Sequence, residues 1–327
     1  MEYHMVVNPA GASGRTKKRV DLLKPLIEKS GEKVEIHYST KDCGIGELCR
    51  QLTKDADAEH PVNLIIAGGD GSLNEAVNGI ENIPHVRLGI LPAGSGNDLC
   101  RALGISSDLE KELARILEGK IRRPMDVGEV TCYGTYDHVG QNRVPDGKEY
   151  PEELKKRFNV SCGIGFDAAI CERAERSRLK GFLNRIMLGK LIYLAAAMEL
   201  IFTFRNTRME VLMDGERTHC AENGLFFVGM NTGYEGGGFL FCPGADPDDG
   251  LLDLCAVNPK SNMVFFRLFP KAYTGKHVTE KIIHMDRAGV LEIRTSDWQW
   301  VHTDGEIGFQ AKHIRMQTLA DKLSLLN

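Results

Sequence analysis

Apolar residues recur in short runs through the first 124 residues, and each run is followed by a segment with helical spacing. The runs resemble β-strands: "YHMVV" (3–7), "KVEIHYS" (33–39), "VNLIIA" (62–67) and "VRLGILP" (86–92). Such alternation predicts a parallel sheet covered by helices on both faces. In the first helical segment, Pro25 predicts an interruption and Gly31 predicts the end. The pattern therefore predicts a three-layer α/β domain over residues 1–124.

The pattern changes after residue 124, where strand-like runs follow one another at short spacing. Turn dipeptides separate the runs, which predicts a β-rich domain over residues 125–310, a β-sandwich with inserted helices. Helical spacing interrupts the strands at roughly 173–204 and 262–274. Residues 193–204 are expected to form a core helix. The stretch 136–157 is polar and contains proline and glycine, so it is expected to be an exposed loop.

Composition and charge narrow the class of protein. A chain of 327 residues is longer than one core usually holds, and a net charge of −4 lacks the basic field typical of nucleic-acid-binding proteins. Nine cysteines without a C-x-x-C pair indicate a reducing compartment. No signal-peptide pattern is visible, and the longest apolar stretch, 191–204, is too short to cross a bilayer. These features predict a cytoplasmic protein, at most peripheral to a membrane, with no nucleic acid as partner.

The stretch "GGDGSLNE" (68–75) follows the third predicted strand directly. Glycines allow consecutive backbone N–H groups to approach a phosphate, and the helix beginning near Ser72 adds its positive dipole end. Asp70 would repel a phosphate unless a cation such as Mg²⁺ lies between them. The alternative is a glycine turn in which Asp70 or Ser72 merely caps the helix.

Two further glycine-rich loops follow strands of the same predicted sheet, at residues 8–14 and 93–97. Loops at the carboxyl ends of neighbouring parallel strands converge on one edge, where ligands of such sheets bind. The spacings match neither the Walker P-loop nor G-x-G-x-x-G, so a Rossmann dehydrogenase is disfavoured. Together the three loops predict a nucleotide-binding site.

The ordered set of motifs resembles the diacylglycerol kinase catalytic-domain family, particularly its bacterial soluble members. The resemblance rests on "NPAGASG", "GGDGSLNE" and "PAGSGND" in the first half, and on "NVSCGIGFDAAI", "GMNTGYEGGGF", "CPGADPDDGLLDL" and "HTDGE" in the second. It covers nearly the whole chain in order, except residues 136–157. It implies ATP-dependent phosphorylation of a lipid alcohol, with Mg²⁺, and a final segment, 311–327, that returns to the first domain.

The resemblance also implies roles for individual residues. Glu306 would accept the proton of the lipid hydroxyl, Asp304 would lie close to that hydroxyl, and Asp70 would act with Mg²⁺. A structural Mg²⁺ would be held by Asp246, Asp249 and the carbonyl of Leu251. The ATP contacts would come from the glycine loops and the end of the second strand: Asn8, Pro9, Ala10, Gly11, Ala12, Thr40, Gly69, Asp70, Gly71, Ser72, Leu73, Asn74, Glu75 and Ser95.

Several features allow a second interpretation. Asp-Gly is a hairpin signal, so "TDGE" alone is equally typical of a turn, as Asp214-Gly215 is expected to be. The acidic loop "DPDDG" is equally typical of a solvated surface. The basic segment 173–190 fits either anionic lipid headgroups or a helix packed on the β-domain. An exposed edge strand would allow a homodimer.

Three functions follow, from different classes. The resemblance favours a lipid kinase. A kinase of a soluble acceptor, such as NAD or a sugar phosphate, would use the same loops. A regulator that binds nucleotide or lipid without catalysis is the third, and the intact set Asp70, Asn74, Glu75, Asp304 and Glu306 argues against it.

Overall fold

The computed structural model describes residues 1–133, 136–137, 153–176 and 189–327. The chain divides into two compact units. The first comprises residues 1–127 and 319–327, and the second comprises residues 128–318. The first break lies three residues beyond the boundary expected from the sequence. Residues 311–318, expected in the returning segment, belong instead to the second unit.

The first unit alternates strands and helices. In chain order they are β1 (Glu2–Val7), α1 (Gly11–Asp21), α2 (Lys24–Ser30), β2 (Lys33–Tyr38), α3 (Ile45–Thr53), β3 (Val62–Gly68), α4 (Asp70–Gly79), β4 (Val86–Pro92), α5 (Asp98–Leu103), α6 (Leu109–Leu117) and β5 (Arg123–Met125). The strands form one sheet in the order β2-β1-β3-β4-β19-β5, where β19 is Leu323–Leu325. The pairs among β1, β2, β3 and β4 are parallel, as the alternation predicts.

Local sequence signals account for the helices of this unit. Pro25 stands in the first turn of α2, so the first helical segment restarts there as predicted, and Gly31 ends α2 in the left-handed conformation. The apolar residues of α4 fall on one face, where Leu73, Ala76 and Val77 are buried. Strand and helix residues pack into a common core that includes Tyr3, Met5, Val7, Ile65, Leu91, Leu113 and Ile116.

The end of the chain completes the sheet of the first unit. Strand β19 lies between β4, to which it is parallel, and β5, to which it is antiparallel. The buried Asn327 amide donates to the Ile90 carbonyl at 2.8 Å and to Glu112 Oε2 at 3.0 Å, while its oxygen accepts from Ile90 N at 3.0 Å. These bonds fix residues 319–327 in the interior of the sheet.

The second unit is mainly antiparallel. Its strands are β6 (Gly128–Tyr133), β7 (Tyr136–Asp137), β8 (Leu154–Phe158), β9 (Ser161–Gly165), β10 (Thr207–Met213), β11 (Arg217–Gly224), β12 (Phe226–Met230), β13 (Tyr234–Glu235), β14 (Phe239–Leu240), β15 (Leu252–Val257), β16 (Ile283–Ala288), β17 (Val290–Thr303) and β18 (Glu306–Thr318). Strand β17 pairs with β10 along its first half and with β9 along its second. Buried residues from the β10 side and from the β9 side of this sheet form one apolar cluster, as expected where sheet layers face each other.

Among the described residues, three α-helices are inserted between these strands: α7 (Phe166–Glu175), α8 (Gly189–Thr203) and α9 (Phe265–Ala272). Helix α7 begins directly after β9, so the expected start near residue 173 is wrong. The expectation that residues 193–204 form a core helix is half right. Ile192, Ala196, Ala197 and Ile201 of α8 are buried, but its Tyr193, Leu194, Met198 and Phe202 are exposed.

The polar stretch 136–157 also departs from the expected loop. Residues 136–137 form β7, residues 154–157 belong to β8, and residues 138–152 lie outside the described residues. Strand β8 pairs antiparallel with β6, which explains why a polar sequence is ordered there. No helix in the described ranges is long and apolar enough to cross a membrane.

Candidate functional site

Three loops follow the carboxyl ends of β1, β3 and β4 in the first unit, and these strands are neighbours in the sheet. The sequence prediction that the loops share one edge therefore agrees with the strand order. In the first loop, Asn8 folds the chain back, because its Oδ1 accepts from Ala10 N at 3.1 Å and its carbonyl accepts from Gly11 N at 3.1 Å. Pro9, Ala10 and Gly11 are at least partly exposed at this edge; Ala12 lies in α1.

The loops after β3 and β4 are in direct contact. The Gly68 carbonyl accepts hydrogen bonds from Ala93 N at 2.8 Å and Gly94 N at 3.2 Å. A Cβ built on Gly94 would lie 2.4 Å from the Gly69 Cα, and one built on Gly69 would lie 2.9 Å from the Gly94 Cα. Only glycine fits both positions, so the two backbones form one continuous surface at the sheet edge.

Neither Asp70 nor Ser72 caps α4, which excludes the simpler interpretation of this turn. Gly69 is the N-cap residue, and no side chain there accepts from the helix. Ser72 is buried, and its Oγ would lie 2.4 Å from a Cβ at Gly68, so the serine packs against the turn. Asp70 reaches the next loop, where its Oδ1 accepts from Leu99 N at 3.4 Å and its Oδ2 would lie 2.7 Å from a Cβ at Gly96.

The helix starts at this edge differ from another helix start in the same unit. Helices α1 and α4 begin without a side-chain cap, as α2 and α3 also do, whereas Leu99 N in the first turn of α5 donates to Asp70 Oδ1. By contrast, α6 is capped by Asp108, which accepts from Glu110 N and Lys111 N at 3.1 Å. Uncapped N-terminal amides suit an anion. Asn97, left-handed at the start of α5, also has a buried Oδ1 without a partner. The uncapped amides fit the phosphates of ATP, whereas the Asn97 oxygen is an acceptor and fits a cation or an N–H donor.

The remaining predicted ATP contacts are either exposed, like Ser95 and Glu75, or buried, like Leu73 and Asn74. Ser95 is exposed in the third loop, and Glu75 is exposed on α4, with its Oε2 3.6 Å from the position of a Cβ on Gly44. The loop after β2 thus lies beside α4, and its Thr40 Oγ1 accepts from Cys43 N at 3.1 Å. Leu73 and Asn74 are buried, and Leu73 faces the interior, so only their backbone could serve a ligand.

Replacing Gly94 by alanine should separate the two touching loops. Because the new Cβ would lie 2.4 Å from the Gly69 Cα, the backbone must shift. We expect a loss of about 1–3 kcal/mol in the free energy of unfolding and weaker ATP binding, measured by denaturant titration and calorimetry. Gly289→Ala is the control, because its Cβ would meet atoms only at 3.5 and 4.0 Å. Equal ATP affinity in both variants would contradict the shared surface.

The second unit contains the predicted acid-base residues. Asp304 occupies the turn between β17 and β18 in a left-handed conformation, with φ of 52°. Its carboxylate accepts from Asn159 N at 2.9 Å, Val160 N at 2.8 Å and Ser161 N at 3.1 Å. These donors form the turn between β8 and β9. Asp304 is therefore primarily a clamp between two turns, a role that the sequence did not predict.

Removing the Asp304 carboxylate should destabilise the second unit. Alanine at this position leaves three backbone N–H groups without their charged acceptor, which we expect to cost about 3 kcal/mol in the free energy of unfolding. Asp214→Ala is a matched control. Asp214 has the same φ of 52° before a glycine but accepts only one backbone N–H, that of Val290 at 3.0 Å. An equal loss in both variants, measured in urea, would refute the clamp.

A buried histidine near this turn was missed by the sequence analysis. His302 Nε2 lies 3.1 Å from Asp167 Oδ2 and 3.4 Å from Glu235 Oε1, while Gly305 N donates to its Nδ1 at 3.1 Å. Burial lowers the pKa of His302, and the surrounding carboxylates raise it to about 9. The bond from Gly305 belongs to the neutral ring, with its proton on Nε2 facing the carboxylates; a second proton, which the carboxylates favour, would go to Nδ1 and break this bond. The imidazole ring fits here because residue 163 is a glycine: a Cβ built on Gly163 would lie 2.4 Å from His302 Nε2.

This histidine cluster joins residues far apart in the chain. The quoted motifs contain Asp167, Glu235 and His302, but nothing in their spacing shows that they meet. Pairing of His302 with Gly163 across β17 and β9 brings them together. Because Gly305 N donates to the His302 ring, the ring also holds the backbone of the tripeptide Asp304-Gly305-Glu306 in place.

Glu306 is the first residue of β18 and is exposed. It pairs across the turn with Thr303 and follows Gly305, whose φ is 81°. The clamp at Asp304 and the ring of His302 fix the backbone from which Glu306 projects. An exposed carboxylate on a fixed backbone is suited to accept a proton from a substrate hydroxyl.

In the acidic loop 246–251, where the magnesium site stays a prediction, Asp249 contacts protein groups. Asp249 Oδ1 accepts from Leu251 N at 3.0 Å, and its Oδ2 pairs with the Arg287 guanidinium. Arg287 also contacts Asp253 Oδ2 at 3.2 Å. Both oxygens of Asp249 thus have partners, and an arginine balances the charge that was assigned to Mg²⁺. Asp246 is tied to the loop through its carbonyl, which accepts from Asp249 N at 3.4 Å.

Comparison with known proteins identifies the family. The diacylglycerol kinase catalytic domain matches residues 2–130, and the YegS C-terminal NAD kinase beta sandwich-like domain matches residues 160–325. The chain belongs to the diacylglycerol kinase catalytic-domain family. The resemblance inferred from the motifs and the predicted fold class, an α/β domain followed by a β-sandwich, are both confirmed.

Relatives in this diacylglycerol kinase family align over most of the chain. A diacylglycerol kinase of Bacillus subtilis (strain 168) is 28% identical over 307 residues, 93% of this chain and 89% of the relative. A diacylglycerol kinase of Staphylococcus carnosus (strain TM300) is 25% identical over 307 residues, 94% of this chain and 89% of the relative. A crystal structure of a diacylglycerol kinase from Bacillus anthracis str. Sterne, 19% identical, superposes with a TM-score of 0.68 over 99% of this chain and 96% of that one, so it shares the fold.

Proposed function

We propose that the protein transfers the γ-phosphoryl group of ATP to the hydroxyl of diacylglycerol or a related lipid alcohol. The proposal is carried by the sheet edge of the first unit, where two glycine loops touch and helices α1 and α4 begin without side-chain caps. Bound Mg-ATP would supply the phosphoryl group. Membership of a kinase family and curated relatives named diacylglycerol kinase support this assignment.

The residues have distinct proposed tasks. Backbone amides at Gly69 and Gly71 would hold phosphate oxygens, since positioning and charge neutralisation dominate phosphoryl transfer. Asp70 would face the Mg²⁺ that accompanies the nucleotide. Glu306 would accept the proton of the attacking hydroxyl, and Asp304 would hold the turn that carries Glu306.

A direct assay tests the proposal. Purified protein is incubated with Mg-ATP labelled at the γ-phosphate and with an extracted lipid mixture, and the phases are then separated. We expect label in the organic phase, and thin-layer mobility then names the acceptor. Label only in water-soluble product would replace the proposal with a kinase of NAD or a sugar phosphate. No transfer at any Mg²⁺ concentration would replace it with a binding protein.

The acceptor would have to be reached at a membrane surface, and α8 offers an apolar face for that contact. Tyr193, Leu194, Met198 and Phe202 are exposed on this helix. Next to its end, Asn262 Nδ2 donates to the Phe204 carbonyl at 3.1 Å, so the exposed Met263 lies nearby. We propose that these side chains enter the lipid surface.

The same helix lies close to the proposed proton acceptor. Burial of part of Tyr193 raises the pKa of its hydroxyl, and the charges of Cys171 and Glu306 raise it further. Glu306 therefore lies within electrostatic reach of Tyr193, the fifth residue of α8. A lipid drawn to the apolar face would have its polar end near this carboxylate.

The basic segment contributes less to this surface than the sequence suggested. Arg173 forms a double hydrogen bond with Glu199 at 2.9 and 2.7 Å, and Arg176 lies 2.6 Å from Glu172. These two positive charges are already paired with carboxylates. Arg178, Lys180 and Arg185 lie outside the described residues.

Replacing Phe202 by glutamate should weaken membrane binding. Phe202 is 70% exposed, so its replacement should change the stability of the fold little. The variant would lose the favourable free energy of moving one aromatic side chain from water into lipid. We expect binding to vesicles of phosphatidylglycerol and diacylglycerol to weaken about tenfold or more in a flotation assay. Leu22→Glu, at a residue that is 74% exposed in the first unit, is the matched control. Equal binding by both variants would place the contact elsewhere.

A further inference from the structure

Two histidines and a glutamate converge on the sheet of the first unit, apart from the residues assigned to nucleotide binding. His4 lies on β1, and Glu35 and His37 lie on β2. The strands pair in register, with His4 opposite Glu35 and Val6 opposite His37, so the three side chains share one face of the sheet. Across the described residues, this is the one group of three His, Cys, Asp or Glu side chains whose ligand atoms lie together.

The distances match a metal coordination shell. His4 Nδ1 lies 3.2 Å from His37 Nε2 and 3.6 Å from Glu35 Oε2, and His37 Nε2 lies 3.8 Å from Glu35 Oε1. Ligands about 2.0–2.1 Å from a tetrahedral Zn²⁺ are separated by roughly 3.3–3.5 Å. The two nitrogens and the Glu35 carboxylate, which faces one nitrogen with each oxygen, therefore surround a position that an ion could occupy with only small movements of the side chains.

From this geometry we propose that His4, Glu35 and His37 bind a divalent transition-metal ion of the Zn²⁺ type, with water in the fourth position. Two imidazoles and one carboxylate are the ligands that such ions prefer, whereas Mg²⁺ prefers oxygen ligands. The site is thus chemically separate from the Mg²⁺ that accompanies ATP. The side chains are 22%, 55% and 20% exposed, so an ion can reach them from solvent.

The contact between the two imidazole rings favours an ion. Two neutral imidazole nitrogens 3.2 Å apart can share only one proton, whereas a metal ion engages the lone pairs of both.

An ion here would cross-link the edge strand to its neighbour. Strand β2 is at the edge of the sheet and pairs only with β1 among the described strands. Its last residue, Tyr38, is two positions before Thr40, which begins the loop beside Glu75. The metal would therefore stabilise the strand that leads into the nucleotide edge, whether or not the chain is a lipid kinase.

The test titrates the full chain, freed of metal by dialysis against a chelator, with Zn²⁺ in a calorimeter and with Co²⁺ in a spectrophotometer. We expect one ion per chain, visible Co²⁺ bands typical of nitrogen ligands, and a higher melting temperature with Zn²⁺. Millimolar Mg²⁺ should not compete. Absence of 1:1 Zn²⁺ binding, or displacement of Zn²⁺ by Mg²⁺, would overturn the proposal.

Variants assign the ligands. His37→Gln and Glu35→Gln should each weaken Zn²⁺ binding at least about 100-fold and abolish the rise in melting temperature. Glu35 is more than half exposed, so its variant should keep the fold even if that of His37 does not. His60→Gln is the matched control, because His60 is 76% exposed and contacts only Asp57 among the carboxylates. Equal affinity in the His60 and Glu35 variants would overturn the assignment.

Discussion

Replacing Glu306 by alanine is expected to reduce phosphoryl transfer about 10²- to 10⁴-fold, because the hydroxyl would lose its proton acceptor. The free energy of unfolding should be unchanged, since the residue is exposed at the start of β18. Initial rates with labelled ATP, together with urea unfolding, measure both quantities.

The chain contains a close control for this experiment. Asp214-Gly215-Glu216 repeats the tripeptide Asp304-Gly305-Glu306, with φ of 52° and 75° against 52° and 81°. Glu216 follows its own hairpin turn, away from the histidine cluster. We expect Glu216→Ala to transfer phosphate at the normal rate. A Glu306 variant with near-normal rates would remove this residue from the mechanism.

Replacing Asp70 by alanine is expected to reduce transfer at least about a hundredfold for a different reason. A carboxylate next to phosphates raises their energy unless a cation is shared. Without Mg²⁺, the variant should therefore bind ATP as well as or better than the normal chain, while the gain in affinity on adding Mg²⁺ should disappear. Calorimetric titration of ATP with and without Mg²⁺ measures this difference.

Asp108→Ala separates this role from helix capping. Asp108 accepts from two amides of α6, so its variant should lose about 1 kcal/mol of stability and keep its transfer rate. Asp70 does not cap α4 and accepts a long bond, 3.4 Å, from Leu99 N of α5, so its variant should lose little stability and most of its transfer rate. An Mg²⁺ dependence that is unchanged in the Asp70 variant would show that the cation is held elsewhere.

The first unit was predictable because its signals are local. Apolar runs mark buried parallel strands, Pro25 restarts a helix, and Gly31 ends one. The glycine loops could also be placed on one edge, because the carboxyl ends of neighbouring parallel strands meet there.

The second unit was less predictable because its contacts depend on strand register. The meeting of Asp167 and His302 follows from the pairing of β9 with β17, and that of Asp253 and Arg287 from the pairing of β15 with β16. Neither register can be derived from the pattern along one strand. The ion pair of Asp249 with Arg287 was likewise not foreseen.

Helix α8 shows a further limit. Apolar residues occupy both its buried and its exposed faces, so periodicity could not separate Ile201, which is buried, from Phe202, which is exposed. Helix α7 was assigned too late because "GIGF" continues the apolar run of β9 into the helix. Gly165, with φ of 114°, makes this abrupt change of direction possible.

The position of β19 between β4 and β5 has a consequence for synthesis on the ribosome. The residues of the second unit are contiguous, so they can fold as soon as they emerge. The first unit, although translated earlier, must wait with a gap between β4 and β5 until residues 319–327 leave the exit tunnel. The nascent nucleotide-binding unit is therefore expected to be the more dependent on chaperones, since it exposes unpaired strand edges throughout elongation.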